Sequence, residues 1–135
     1  MATPSVLFVC THNAGRSQMA AGFLAQLGGG TIDVASAGTA PAEALNSAVV
    51  AAMLEAGIDL RLEEPTLLTD EALEAADLVI TLGSDLAGLK PDPRFTQWDF
   101  PDPAGSRLET VRAIRDAIRL RVQGLLDDLN AQAAA

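Results

Sequence analysis

The sequence predicts a three-layer α/β domain built on a parallel sheet. Apolar runs of strand length alternate with segments of helical period, in the order strand-helix-strand-helix-helix-strand-helix. The clearest of these runs are continuously apolar, which suits strands buried on both faces. The chain has 135 residues, 49% hydrophobic and 20% charged, enough for one core and short for two ordinary domains. No internal repeat or linker interrupts it, so residues 1–135 are expected to form a single domain.

Val6-Leu7-Phe8-Val9 reads as the first strand. Residues 16–28 follow as a helix, with Met19, Phe23, Leu24 and Leu27 at three- and four-residue steps. Gly28-Gly29-Gly30 ends it through a left-handed cap and a turn. Residues 31–35 form a second strand, closed by the small-residue turn Ser36-Ala37-Gly38-Thr39. Residues 42–56 predict a helix with Leu45, Val49, Ala52 and Met53 on one face, stopped by Gly57. Asp70 caps a short helix to Ala76, and Asp77-Leu78-Val79-Ile80-Thr81-Leu82 is the strongest strand signal. Pro91, Pro93, Pro101 and Pro103 make residues 83–107 mostly loop, with a short strand at 95–98. A loop that long in a compact domain is usually functional. Leu108, Val111, Ile118, Val122, Leu125 and Leu129 mark one face of a long last helix.

Eighteen acids against nine bases give a net charge of −9. That argues against nucleic acid or an anionic membrane as partner, because binding to polyanions rests on clustered Lys and Arg. No apolar stretch approaches the ~20 residues of a membrane helix, and no basic segment precedes a run of signal-peptide length. A cytoplasmic location is the expectation. One Cys and one His leave no internal disulfide and no Cys/His zinc site. The charge is unevenly placed: from Met1 to Ile32, Arg16 is the one formally charged side chain. An anion site near it is compatible with an acidic chain, since exposed charges beyond ~8 Å are largely screened at physiological salt.

The chemistry concentrates in Cys10-Thr11-His12-Asn13-Ala14-Gly15-Arg16-Ser17, between the first strand and the first helix. In a parallel α/β sheet, ligands bind beyond the carboxyl ends of the strands, beside a topological switch point. A tight loop there turns successive amides inward, and the helix dipole adds positive potential, so a tetrahedral oxyanion fits. Arg16 can grip two of its oxygens at once. Gly15 permits the backbone conformation and close approach, while Asn13 tolerates a left-handed conformation and can brace the loop. The same positive field favours the thiolate of Cys10. Ser17 could donate to that thiolate or to an intermediate. Taken singly, Cys10 reads as a buried small hydrophobe, Arg16 as a cap and His12 as a residue of the pocket rim rather than a proton carrier. The Cys-x5-Arg-Ser spacing in an otherwise uncharged segment is what packing does not explain.

The segment VLFVCTHNAGRSQMA resembles the active site of the low-molecular-weight protein tyrosine phosphatase superfamily, and more narrowly that of arsenate reductases built on this fold. The likeness continues in SAGT (36–39), ADLVITLG (76–83) and WDFPDPAG (98–105), so it covers essentially the whole chain. It implies a flavodoxin-like, four-stranded parallel sheet. It also implies Cys10 as nucleophile, Arg16 as oxyanion clamp, Thr11 to Ser17 as the oxyanion loop with Asn13 and Ser17 supporting it, and Asp102 as general acid. An acid is required in any case, because attack on arsenate must expel hydroxide, a poor leaving group unless protonated. Pro101 and Pro103 would hold the Asp102 carboxyl in place; Asp99 is the second candidate, and an ordinary loop acid the plain alternative.

Three functions can use such a site: arsenate reduction, hydrolysis of phosphomonoesters by a phosphatase, or a non-enzymatic oxyanion or phosphocysteine carrier. Tyrosine phosphatases of this fold carry an aromatic residue after Asp-Pro, whereas Ala104 and Gly105 stand here and the chain has no Tyr, which suits a small inorganic anion such as arsenate or phosphate. Thioredoxin-coupled relatives supply further cysteines near positions 83 and 89, where this chain has Gly83 and Leu89. With no bound cofactor expected, an external thiol must then complete reduction: mycothiol, bacillithiol or glutathione, regenerated by a glutaredoxin-like redox partner protein, with thioredoxin ranked lower. Some relatives hold potassium near the loop; Asn13 and Ser36 fit that pattern, but Ala21 stands where a Glu is expected, so no metal is carried over. A monomer is the expected state.

Overall fold

The computed structural model of the chain describes residues 3–83, 89–90 and 92–134. Strands β1 (Ser5–Cys10), β2 (Asp33–Gly38), β3 (Leu78–Leu82) and β4 (Phe95–Trp98) form one sheet in the order β2-β1-β3-β4, with every pairing parallel. Helices α1 (Arg16–Gly28), α2 (Ser47–Glu55) and α4 (Leu108–Ala134) pack on one face. The short helix α3 (Asp70–Ala75) covers the other. Both faces of β1 and β3 are therefore buried. Val6, Phe8, Cys10, Ile80 and Leu82 enter the larger core, and Leu7, Val9 and Val79 the smaller one, which is why these strands read as unbroken apolar runs.

The chain leaves β1 for β2 on one side and later returns to β3 on the other. The carboxyl end of β1, where Cys10 ends the strand, is thus the switch point at which an open α/β sheet leaves a crevice. Helix α1 starts at Arg16 and ends in Gly29 with φ 59°, the left-handed cap that the three glycines predict. Along α4, Val111, Ile114, Ile118, Val122 and Leu126 are buried, while Leu125 and Leu129 lie half-buried at the flank of the stripe.

Three local expectations are corrected. The second strand runs over 33–38 rather than 31–35, so Ser36, Ala37 and Gly38 continue the ladder beside Phe8, Val9 and Cys10 instead of turning. Their small size serves close approach: a Cβ on Gly38 would stand 2.7 Å from the Thr11 carbonyl oxygen. The next helix begins at Ser47, not 42, because the amides of Ala40, Ala42 and Asn46 donate to the carbonyls of Thr11, His12 and Ala14. The segment before Ser47 is thereby tied to the first loop. The cap of α3 is Thr69, whose hydroxyl accepts from the Ala72 amide at 3.1 Å, with Asp70 the first helical residue. The proline-rich loop carries its short strand at 95–98 as expected; its residues 84–88 and 91 lie outside the described residues.

Candidate active site

The Cys10–Ser17 loop is held by its carbonyls. Those of Cys10, Thr11, His12 and Ala14 accept from the amides of Thr39, Ala40, Ala42 and Asn46 at 2.8 to 3.2 Å. The Asn13 carbonyl accepts from Gln18 Nε2 and that of Gly15 from the Met19 amide. A trans peptide points its C=O and N–H in opposite directions, so carbonyls turned into the protein aim the amides of the following residues toward the crevice. The Asn13 amide shows the consequence, donating to Cys10 Sγ at 3.3 Å.

Asn13 takes φ 50°, the left-handed conformation expected of it. Its side chain is fully buried and turned behind the loop. Nδ2 donates to Ser17 Oγ at 2.6 Å, and Oδ1 accepts from the Thr66 amide and from Gln18 Nε2. Ser17 Oγ stands 2.9 Å from Cys10 Sγ; toward a thiolate the hydroxyl is the donor. Asn13 and Ser17 therefore act on the sulfur and on the loop, while their side chains stay out of the cavity. Gly15 takes φ −145° and ψ −87°, outside the α and β regions, so conformation and contact both favour glycine there. A Cβ would come within 2.9 Å of the Pro103 ring.

A cavity of about 140 Å³ opens over the loop, lined by Cys10, Ala14, Gly15 and Arg16 on one side and by Asp102 and Pro103 on the other. That is a few water volumes, enough for an inorganic oxyanion. His12 is exposed at its rim and Thr11 is half-buried in the loop. Arg16 is buried to 8% exposure, donates from Nη1 to the Phe100 carbonyl at 3.1 Å, and faces Asp102 Oδ2 at 3.8 Å. Asp102 keeps its other oxygen on the Ala104 amide, 3.0 Å away. Asp99 is exposed, accepts from Gln97, and lies outside this cavity.

Several participants escaped the sequence reading. Asn46 lines the cavity and caps α2. Asn before Ser and an apolar helical run is a cap signal that could have found it. The Phe100 carbonyl steadies Arg16, and Phe100 is itself seated edge-on against buried Trp98, which packs on Phe8. Gly83 has φ 136°, and a Cβ there would meet Arg16 Nη1 at 2.8 Å. The position where thioredoxin-coupled relatives are expected to place a cysteine is here the floor on which the guanidinium rests. Among the described residues no group of three or more His, Cys, Asp or Glu comes together to hold a metal.

Residues 5–135 match the family described as low molecular weight phosphotyrosine protein phosphatase. The chain belongs to this family. It is 36% identical over 129 residues to a putative arsenate reductase of Halobacterium salinarum, covering 91% of each chain. Its fold superposes on a thioredoxin-dependent arsenate reductase of Corynebacterium glutamicum with a TM-score of 0.80 and 31% identity, over 98% of this chain. The match spans 64% of that protein's length. An arginine phosphatase of Geobacillus stearothermophilus superposes with a TM-score of 0.83 at 26% identity, over 96% of this chain and 94% of the other. The family thus holds both reductases and phosphatases of close shape, and the four-stranded parallel sheet is theirs.

Proposed function

We propose that this protein is an arsenate reductase, one domain over residues 1–135, with Cys10 as nucleophile, Arg16 as oxyanion clamp and Asp102 as acid. The observation that carries the reading is the shared small cavity: the Cys10 sulfur, the Arg16 guanidinium and the Asp102 carboxyl face one space sized for an inorganic oxyanion. Arsenate seats on the inward amides of residues 11–17 and on Arg16. The Cys10 thiolate bonds to arsenic; one As–O bond breaks and that oxygen leaves as water with the proton of Asp102.

The adduct still holds arsenic in the +5 state, and the 135 residues contain no second sulfur of cysteine. An external thiolate then attacks the Cys10 sulfur. The S–As bonding pair stays with arsenic, arsenite departs, and a Cys10 mixed disulfide remains for a second thiol to reduce. Alternatively the external thiol takes the arsenic from Cys10 as a thiol–arsenate. Either way two thiols supply two electrons. Mycothiol, bacillithiol or glutathione with a glutaredoxin-like protein suits a narrow cavity over Cys10, a residue only 2% exposed, better than thioredoxin does. A cytoplasmic monomer belongs to the same proposal; among the described residues no helix is long and apolar enough to cross a membrane.

A phosphatase is the second reading, supported by the likeness to the arginine phosphatase and by an acid equally able to protonate an ester leaving group. The discriminating experiment follows arsenite formation with each thiol in parallel, beside phosphate-ester hydrolysis with no thiol added. Reductase action predicts arsenite only with thiol, together with either a mixed thiol–arsenate product or a Cys10 mixed disulfide, visible as a mass shift of that thiol. Fast thiol-independent hydrolysis with no arsenite under any thiol reverses the assignment.

A further inference from the structure

We infer that Asn46 is a positioning residue for the acid, an inference that rests on Asp102 as the proton donor. Asn46 reaches in three directions. Its Oδ1 accepts from the amides of Ala48 and Val49 at 2.9 and 3.4 Å, capping α2. Its backbone amide donates to the Ala14 carbonyl of the anion loop at 3.0 Å. Its Nδ2 donates to the Pro103 carbonyl at 3.4 Å. One residue thus joins a helix start, the anion loop and the segment that carries Asp102.

Capping needs only the side-chain oxygen, and Ser or Thr would supply one. The amide donor is what capping leaves unexplained, and it holds the residue directly after Asp102. Proline fixes φ, so one torsion fewer separates the Pro103 carbonyl from the Asp102 backbone. Before the acid the segment is tied to the site through the Phe100 carbonyl on Arg16; beyond that, its ties are the Pro103 ring against Gly15 and the 3.8 Å approach of Asp102 to Arg16. Removing the donor frees the acid while the loop keeps its own bonds.

The test is Asn46→Ser, which keeps a capping oxygen and the backbone amide and loses the donor. Cys10–arsenate adduct formation is timed in single turnover, in the wild-type and Asp102→Asn backgrounds, with melting temperature and protection of Cys10 from alkylation by inorganic phosphate. Expected are an adduct rate lower by about 10- to 100-fold, the effect of a small misplacement of a reacting group, unchanged phosphate protection, and no further slowing on top of Asp102→Asn. A normal rate, an equal loss in the Asp102→Asn background, or phosphate protection lost in parallel overturns it. Should Asn46→Ser fail to fold, Asn46→Thr caps as well and is held to the same readouts. A wild type that forms no arsenite but hydrolyses phenyl phosphate breaks the reductase reading alone; the same comparison is then made on ester hydrolysis, where Asp102 protonates the phenolate.

Discussion

The two walls of the cavity are built differently. The loop wall, 10–17, is interlocked: six successive carbonyls are taken by the protein, and Asn13 and Ser17 are wholly buried in a network ending on the Cys10 sulfur. The opposing wall, 99–106, exposes Pro101, Asp102, Ala104 and Gly105. It is anchored through Trp98 and Phe100 before the acid and through Pro103 after it. Oxyanion geometry is therefore set when the chain folds, whereas acid geometry depends on how a lightly held segment docks. Substitutions in the first wall should abolish binding and chemistry together; those in the second should slow chemistry and spare binding.

The largest expected effect comes from Arg16→Lys. The charge stays, but the fork that holds the Phe100 carbonyl and two oxyanion oxygens is lost. Adduct formation should fall by about 10³- to 10⁵-fold, the range of an arginine stabilising a transferring oxyanion, and phosphate should no longer shield Cys10 from alkylation. Retained phosphate protection would mean that the backbone amides alone hold the anion, and the two walls would differ less than proposed.

Asp102→Asn comes next. The amide oxygen can still accept from the Ala104 amide, so the turn survives and only the proton donor is removed. Adduct formation should slow by about 10²- to 10⁴-fold with phosphate protection intact. Asp99→Asn, outside the cavity, should behave as wild type in the same single-turnover assay. Normal rates for Asp102→Asn together with slow ones for Asp99→Asn would move the acid and remove the basis of the contrast.

The same contrast governs what the sequence revealed. Cys10 to Ser17 was legible because the chemistry lies in local spacing: a strand end, five residues and an arginine at a helix start. The left-handed Asn13 was legible for the same reason. The start of α2 was not, because residues 40–46 spend their amides on carbonyls some thirty positions earlier in the chain, and helical periodicity contains no trace of that demand. Likewise Ser36-Ala37-Gly38 looked like a turn, since smallness for a turn and smallness for packing under Thr11 are one signal in the sequence. The Phe100 carbonyl could not be found at all: a main-chain acceptor leaves no residue type behind. The three-layer α/β class with a parallel sheet was recoverable from the alternation of elements, the four-stranded form only from the family resemblance, while the second wall needed the tertiary fold.

A third region supplies the smallest effect and the control for both walls. Where α2 ends, Glu55 is clasped by Arg112 at 2.6 Å and by Arg115 at 2.9 Å from α4, away from the cavity. Hydrogen bonds from Arg112 foremost, then from Arg115, outweigh the cost of burial and lower the Glu55 carboxyl from 4.5 to about 2. A carboxyl lowered on folding adds stability that is full above its unfolded value and lost as pH falls through the folded one. Glu55→Gln should therefore melt a few degrees below wild type at most at neutral pH. The gap should narrow below about 4.5 and close near 2. Because the pair is exposed, high salt should shrink the gap as well. Melting followed by circular dichroism across pH at two salt concentrations checks this. Adduct formation should be unchanged at neutral pH, since α2 is seated on the site through Asn46 at its other end. A melting difference independent of pH would assign the loss to packing of the Glu55 stem. A slowed adduct rate would show that the α2–α4 clasp reaches the second wall, which is the one outcome that would join regions the geometry keeps apart.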